Sequence, residues 1–233
     1  YSSAASDVYK RQRQATLQAL QSQINPHFLY NTLECIRGQA LMDGNTSVAD
    51  MLEALGNFFR YSISRRENVV TLADEINNIR SYMLIQNYRF LNRYQFELEF
   101  LEDEEPLLGC YVPKLTLQPI VENALIHGFQ NQKSGCVTLT VDASDSMLML
   151  TISDDGEGMD AAVLEELNRK IQSRQTLLRK PASHGNGIAL QNVNRRIMML
   201  YGRSYGLHAY STPGRGTDVE IILPRITKAE VTP

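Results

Sequence analysis

Three pairs of glycines in the C-terminal half have the spacing of loops that approach a bound anion. Glycine allows a backbone to come close to a ligand or to take a positive φ. The second pair directly precedes a predicted helix, whose first N–H groups suit a phosphate. Any single pair is more often a plain turn. The pairs lie in DDGEG at 154–158, HGNG at 184–187 and GRGT at 214–217.

The common phosphate-binding motifs are absent from the sequence. There is no Gly-Lys dipeptide for a Walker A loop and no GxGxxG for a dinucleotide site. The HRD and DFG motifs of eukaryotic-type protein kinases are missing as well. His27 is a further candidate for chemistry, although a lone histidine on a helix is usually structural or solvated.

Two amphipathic helices joined by a short turn make up the N-terminal part. The sequence predicts a kink at Pro26 in the first helix, a turn at 43–45, and a helix cap at Thr46 or Ser47. Together they predict a helical hairpin that carries His27. The apolar stripes are Leu17, Leu20, Ile24 and Phe28 in the first helix and Met51, Leu52, Leu55, Phe58 and Phe59 in the second.

The remaining sequence alternates between helical and strand periods. Thr71 opens a helix with Asp74 or Glu75 in its first turn, and beyond Asn92 the apolar period changes to two. A further helix is predicted to start at Pro113. Later segments predict strands at 137–141, 147–152, 205–210 and 218–223, helices at 160–172 and 187–200, and a polar loop at 173–186. The boundary between a helical part and an α/β part therefore lies near Asn92.

The composition argues against several classes of protein. The 233 residues carry a net charge of −3, so a general nucleic-acid binder is not expected. No apolar run approaches the roughly 18 residues of a membrane span, and no signal peptide opens the sequence. The three cysteines lack CxxC spacing, and the four histidines show no HExxH or HxH pattern, so neither a disulfide framework nor a metal site is expected.

The first residues have a separate origin in our interpretation. SSAASDVYKRQ at 2–12 resembles the in-frame translation of the transposon-end adapter used in sequencing libraries. We therefore interpret 1–12 as an adapter artefact and expect the natural sequence from Arg13 on. The natural N-terminus would then be missing, together with any membrane segment upstream.

Four boxes, taken together in their order and spacing, resemble the N, G1 and G2 boxes of the Bergerat-fold ATPases, which include the histidine kinases, gyrase and MutL. The boxes are ENALIHG at 122–128, DDGEG at 154–158, HGNG at 184–187 and GT at 216–217. Further segments are similar to sensor histidine kinases of the LytS/YesM-type subgroup. These are QINPHFLYN at 23–31, LQPIVENA at 117–124, LQNV at 190–193 with Arg196, and YG at 201–202. The resemblance covers essentially 17–224.

The resemblance implies a site for ATP and Mg²⁺. Asp154 would accept a hydrogen bond from the adenine amino group, and Asn123 would offer Mg²⁺ an oxygen, the ligand type that this ion prefers. Many relatives have a lysine where this chain has Ile126, so one phosphate-binding charge is missing, and His127 is the candidate to replace it. The implied nucleotide-binding residues are Asn123, His127, Asp154, Gly156, Gly158, Gly185, Gly187, Gly216 and Thr217.

The resemblance also implies a reaction. His27 would be the phosphoacceptor, because a neutral imidazole with an ordinary pKa of about 6.5 is a competent nucleophile near pH 7. It would attack the γ-phosphorus of MgATP in line, and the phosphoryl group would pass to an aspartate of a response regulator. Many histidine kinases have an acidic residue after the histidine, where this chain has Phe28. The proton acceptor therefore stays open, with Glu122, Glu34 and an orienting Asn31 as candidates.

We therefore expect an α+β protein. A helical hairpin for dimerisation and histidine phosphotransfer would occupy 13–92, an α/β sandwich ATPase domain 93–225, and a tail 226–233. The expected function is that of a homodimeric protein-histidine kinase core on the cytoplasmic side, with the full-length parent in the bacterial cell membrane.

Two other functions stay open. Ile126 and Phe28 leave room for a nucleotide-binding pseudokinase or scaffold that regulates a response regulator without autophosphorylation. A gyrase- or MutL-like ATPase acting on DNA is the third reading, and the acidic charge balance argues against it.

Overall fold

The computed structural model describes residues 26–64, 68–173 and 187–227. The predicted helix residues before Pro26, most of the polar loop, and Gly185 lie outside this described part. The chain divides after Ile63 into two compact units, and each is described by itself.

The first unit contains a helical hairpin, as the sequence predicts. Helix α1 (Pro26–Met42) and helix α2 (Thr46–Ile63) pack on each other across a turn in which Gly44 has a φ of 73°. The predicted cap at Thr46 or Ser47 is wrong. The side chain of Asn45 accepts the hydrogen bond from the Val48 N–H at 3.2 Å, because it directly precedes the first helical residue. Small and branched side chains fill the contact, namely Leu33, Ala40, Ala49, Leu52 and Ala54.

The second unit is built around one five-stranded sheet. Its strands are β2 (Tyr94–Phe100), β4 (Gly135–Ala143), β5 (Met147–Asp154), β6 (Gly206–Thr212) and β7 (Gly216–Pro224). They lie in the order β2-β4-β5-β7-β6. The pair β2–β4 is parallel and the other pairs are antiparallel. Alternate residues are buried along the strands, so one face of the sheet packs against helices.

Helices form the second layer of this unit. They are α3 (Leu72–Arg89), α4 (Glu104–Leu108), α5 (Gln118–Asn123), α6 (Ala161–Gln172) and α7 (Ile188–Tyr201). Helix α5 continues directly into a π turn (Ala124–Gly128). Helices α6 and α7 pack on each other and on β6. The result is the α/β sandwich expected from the sequence. Within the three described ranges, no helix combines the length and apolarity that crossing a membrane requires.

Two predicted boundaries differ from the structure. Pro113 does not open a helix, because it ends strand β3 (Tyr111–Pro113), which pairs with β1 (Val69–Thr71); the helix begins at Gln118. Helix α3 belongs to the second unit, whereas the sequence places the division after it, near Asn92. Its contacts explain the difference, because α3 packs on β2 and α5.

The start of α3 follows the prediction closely. The Thr71 side chain accepts a hydrogen bond from the Asp74 N–H, and the Asp74 carboxylate accepts one from the Thr71 N–H. This reciprocal pair is a capping box. Glu75, the other acidic residue of the first turn, is fully buried and therefore has a different role.

Candidate functional site

A cavity of about 580 Å³ opens in the second unit beside the sheet. Its walls come from α5 and the π turn, the ends of β5 and β7, the length of α6, and the beginning of α7. Five of the implied nucleotide-binding residues line it, namely Asn123, His127, Asp154, Gly158 and Thr217. Segments that are up to about a hundred residues apart in the sequence therefore meet in one cavity.

Asp154 ends strand β5 and points a carboxylate into this cavity. Burial raises its pKa to about 6, while Asp155 and Asp218 add repulsion. The backbone N–H groups of Gly156 and Thr217 donate to the carboxylate and oppose this rise. The Gly156 hydrogen bond is 3.0 Å long. Asp154 is therefore mainly an ionised hydrogen-bond acceptor at neutral pH, in a site that is partly shielded from water.

Two glycines make room for the backbone around Asp154. A Cβ on Gly156 would collide with the Gly128 carbonyl and the Asp154 carboxylate, and a Cβ on Gly216 would collide with the Asp154 carbonyl. Gly216 also has a φ of 94°, which favours glycine. Neither glycine is among the described residues that line the cavity. Both contribute by letting the neighbouring backbone pack closely around Asp154.

Asn123 and His127 lie where α5 changes into the π turn. The Phe129 N–H bonds to the Ala124 carbonyl at 3.2 Å, five residues back. His127 lines the cavity, and burial lowers its pKa below the ordinary value. A neutral imidazole can form hydrogen bonds but supplies no positive charge at pH 7. Ile126 is 60% exposed and does not line the cavity.

Glu122 lies outside the cavity lining and takes part in a polar relay. Its carboxylate accepts a 2.7 Å hydrogen bond from the Gln118 side chain, and Gln118 accepts a 2.9 Å bond from the Asn78 amide. The relay links α3 to the end of α5. These hydrogen bonds hold the side chain of Glu122, the residue before Asn123.

Glu75, which the sequence places only in the first turn of a helix, stabilises the loop that leads into the site. Its buried carboxylate accepts hydrogen bonds from the backbone N–H groups of Leu115, Thr116 and Leu117. Leu115 has a φ of 59°, an unusual conformation for a branched residue. The carboxylate thus holds the strained loop that leads into α5 and Asn123.

His27 and Asn31 lie in the first unit on α1. The Asn31 Nδ2 is 3.2 Å from the His27 Nδ1, one helical turn away. Phe28, which follows the histidine, is 70% exposed. The structure therefore brings these two predicted residues together in the hairpin.

The chemical types of the side chains at the cavity wall are compatible with a nucleotide that carries Mg²⁺. Among the described residues no group of three His, Cys, Asp or Glu side chains is placed to hold a metal ion. Mg²⁺ commonly takes one or two protein oxygens, with phosphates and waters completing its shell. The Asn123 amide at the cavity wall would supply such an oxygen.

Gly187 begins α7 with a φ of 99° but does not line the cavity.

Comparisons with known proteins show which family the chain is similar to. Residues 15–94 match a family model described as histidine kinase, and residues 113–227 match the histidine kinase-, DNA gyrase B- and HSP90-like ATPase model. The sensor histidine kinase YesM of Bacillus subtilis (strain 168) is 36% identical over 213 residues, which are 91% of this chain and 34% of that protein.

Other relatives show the same pattern. The sensor protein LytS of Bacillus anthracis is 32% identical over 91% of this chain and 34% of its own length. The sensor histidine kinase YpdA of Escherichia coli (strain K12) is 31% identical over 95% of this chain and 36% of its own length. The chain thus spans about a third of these relatives. A solved histidine kinase domain from Erythrobacter litoralis EL346 is 18% identical, covers 91% of both chains and has a TM-score of 0.44.

Proposed function

Because this chain belongs to the histidine kinase family, with a histidine kinase region followed by a histidine kinase-like ATPase domain, we propose that it is an ATP-dependent protein-histidine kinase core. It autophosphorylates on His27 and passes the phosphoryl group to an aspartate of a response regulator. The observation that carries the proposal is the cavity in which Asp154, Asn123 and His127 meet within the ATPase domain.

The nucleotide is held by complementary chemistry. The ionised Asp154 carboxylate accepts a hydrogen bond from the adenine amino group. The Asn123 oxygen would hold Mg²⁺, which would neutralise charge on the phosphates and polarise them. Thr217 and Gly158, with Gly185 and Gly187 of the glycine boxes, complete the binding residues in this proposal. Gly156 and Gly216 contribute by packing Asp154.

His27 acts as the nucleophile in the phosphoryl transfer. A lone pair of an imidazole nitrogen forms a bond to the γ-phosphorus, and the bond from that phosphorus to the β–γ bridging oxygen breaks, so that ADP leaves with the electron pair. The other ring nitrogen gives up its proton as the phosphoimidazole becomes neutral. Asn31 orients the ring, and Glu122 at the end of α5 is the proposed proton acceptor.

Dimerisation and membrane attachment complete the proposal. Apolar side chains stay exposed on α1, namely Phe28, Ile36, Leu41 and Met42, and a second hairpin would cover them in a four-helix bundle. The relatives are about three times as long as the match. Their additional length agrees with a sensor part and a membrane location for the whole protein.

Incubation with γ-labelled MgATP tests the proposal. The expected product is acid-labile and alkali-stable, as phosphohistidine is, and it is absent in His27→Ala and Asn123→Ala. The matched controls are His208→Ala and Asn77→Ala, at exposed positions of β6 and α3, which should label like the wild type. Labelling that survives His27→Ala would refute the acceptor assignment. ATP binding without any label would favour the pseudokinase or scaffold.

A further inference from the structure

Apart from one lysine on α6, the described residues that line the cavity supply no positive charge to a triphosphate. Among the described lining residues, Asp154, Asp160 and Glu166 carry carboxylates, while His127 is neutral and Ile126 lies outside the lining. A polyphosphate in such surroundings requires a cation besides Mg²⁺, because its charge is not offset by the walls.

Lys170 is the one lysine or arginine among the described residues that line the cavity. It lies on α6, and its side chain is 48% exposed. Its ammonium forms an ion pair with Glu166 at 3.5 Å. An exposed pair of that length contributes little to stability, so the lysine can leave it at small cost.

The partner of Lys170 has a second cation. Arg169 contacts the same Glu166 carboxylate through Nε at 2.8 Å and through a terminal nitrogen at 2.6 Å. Glu166 therefore stays paired when Lys170 moves. Arg169 does not line the cavity, so the two neighbouring cations differ in access to a ligand.

The stem of Lys170 lies against the beginning of α7. A Cβ built on Gly187 would be 3.7 Å from the Lys170 Cδ and 3.8 Å from its Cβ. The first N–H groups of this 14-residue helix have no partner within the helix, and its dipole favours an anion there. A flexible lysine stem can direct its ammonium to the same place.

We propose that Lys170 is a phosphate-binding cation of this nucleotide site, replacing the charge that Ile126 lacks. The inference rests on the proposed function, because it takes the cavity as an ATP site. When ATP binds, the Lys170 ammonium leaves Glu166 and contacts the terminal phosphates near the first turn of α7. AMP, which lacks those phosphates, gains little from it.

The test compares dissociation constants of MgATP and AMP for the wild type, Lys170→Met, Lys170→Arg and the control Arg169→Gln. Lys170→Met should weaken ATP binding by about tenfold or more, the scale of a charged hydrogen bond, and AMP binding by less than about twofold. Lys170→Arg should restore most of the loss. Arg169→Gln, which takes the second cation from Glu166, should weaken ATP binding much less than Lys170→Met does. The ATP affinity of Lys170→Met should also depend less on salt.

Two failures can be told apart. If the wild type binds ATP and Asp154→Asn abolishes binding, while Lys170→Met keeps the wild-type ratio of ATP to AMP affinity, the lysine assignment is wrong and the ATP site stands. If neither the wild type nor the variants bind ATP, or if Asp154→Asn binds as well as the wild type, the nucleotide site itself is refuted, and the role of Lys170 with it.

Discussion

The Asn31 side-chain amide lies 3.2 Å from the Nδ1 of His27, one turn along the same helix. An amide presents an oxygen or a nitrogen to its neighbour by a half-turn of its end group. With its oxygen toward Nδ1, Asn31 would hold the imidazole proton on that nitrogen, and the lone pair for attack would then be on Nε2. In the structure the Asn31 Nδ2 faces Nδ1 and donates to it, which leaves the ring proton on Nε2. We therefore propose that the orientation of the Asn31 amide selects which ring nitrogen reacts.

Replacing Asn31 by alanine should slow autophosphorylation by about 10- to 100-fold without changing ATP affinity, because the ring loses its orienting partner. The initial rate of phosphohistidine formation and the ATP dissociation constant measure the two effects. Gln39→Ala on the same helix is the control, since it removes an exposed hydrogen bond to Asp43. An equal loss in both variants would contradict the orienting role.

Nucleotide affinity should fall as the pH drops through about 6. Burial raises the pKa of Asp154 to about 6, and protonation turns the acceptor into a donor that faces the adenine amino group. We expect the dissociation constant of ADP to rise about tenfold between pH 7 and pH 5, measured by calorimetry. Asp154→Asn should bind ADP weakly at both pH values. Any change that this variant shows between them comes from titration of the ADP phosphates and is subtracted from the wild-type change. A wild-type profile as flat as that of the variant would argue against the contact.

The same carboxylate should destabilise the nucleotide-free fold at neutral pH. Because its folded pKa exceeds its ordinary value of 3.8, the ionised form is disfavoured in the folded state, and this penalty disappears as the pH falls from about 6 to below 4. Asp154→Asn should therefore raise the free energy of unfolding at pH 7.5 by about 1–3 kcal/mol, with no gain at pH 3.5. Chemical denaturation measures both values. Asp145→Asn, at an exposed turn, should have no effect at pH 7.5.

Glu75→Gln should destabilise the second unit by about 2–3 kcal/mol. The glutamine would turn one N–H group toward a row of backbone donors and lose the charge that holds Leu115, Thr116 and Leu117. The urea midpoint reports the loss. Asp74→Asn, the exposed neighbour in the capping box, should cost about 1 kcal/mol or less. Equal costs would mean that the buried carboxylate is not what stabilises this loop.

Periodicity was sufficient for the main elements of the fold. The alternation from Tyr94 to Phe100 and the helical stripe of α2 both follow from local burial, and local burial is what a sequence pattern reports. The helix predicted from Pro113 failed because a proline suits the first turn of a helix as well as an edge strand. Only its pairing with Val69, 44 positions earlier, decides between them.

The candidate site was predictable where it depends on short motifs and hidden where it depends on distant contacts. Asn123 and Asp154 could be named from their boxes, and both line the cavity. Glu75 looked like an ordinary helix cap, because its partners are 40 or more residues away. Lys170 lay in a helix without a motif, and only the packing of α6 beside Gly187 distinguishes it from Arg169.

The π turn after Asn123 sets a limit on changes in chain length. Its five-residue hydrogen bond to Phe129 accommodates one residue more than a regular helical turn. Deleting a residue there would restore an ordinary helix but rotate the following side chains by roughly 100°. His127 would then turn away from the cavity, and Gly128 would leave its place beside Asp154. The exposed side chain of Ile126 can therefore be replaced without disturbing this turn, while the number of residues between Asn123 and Phe129 has to stay the same.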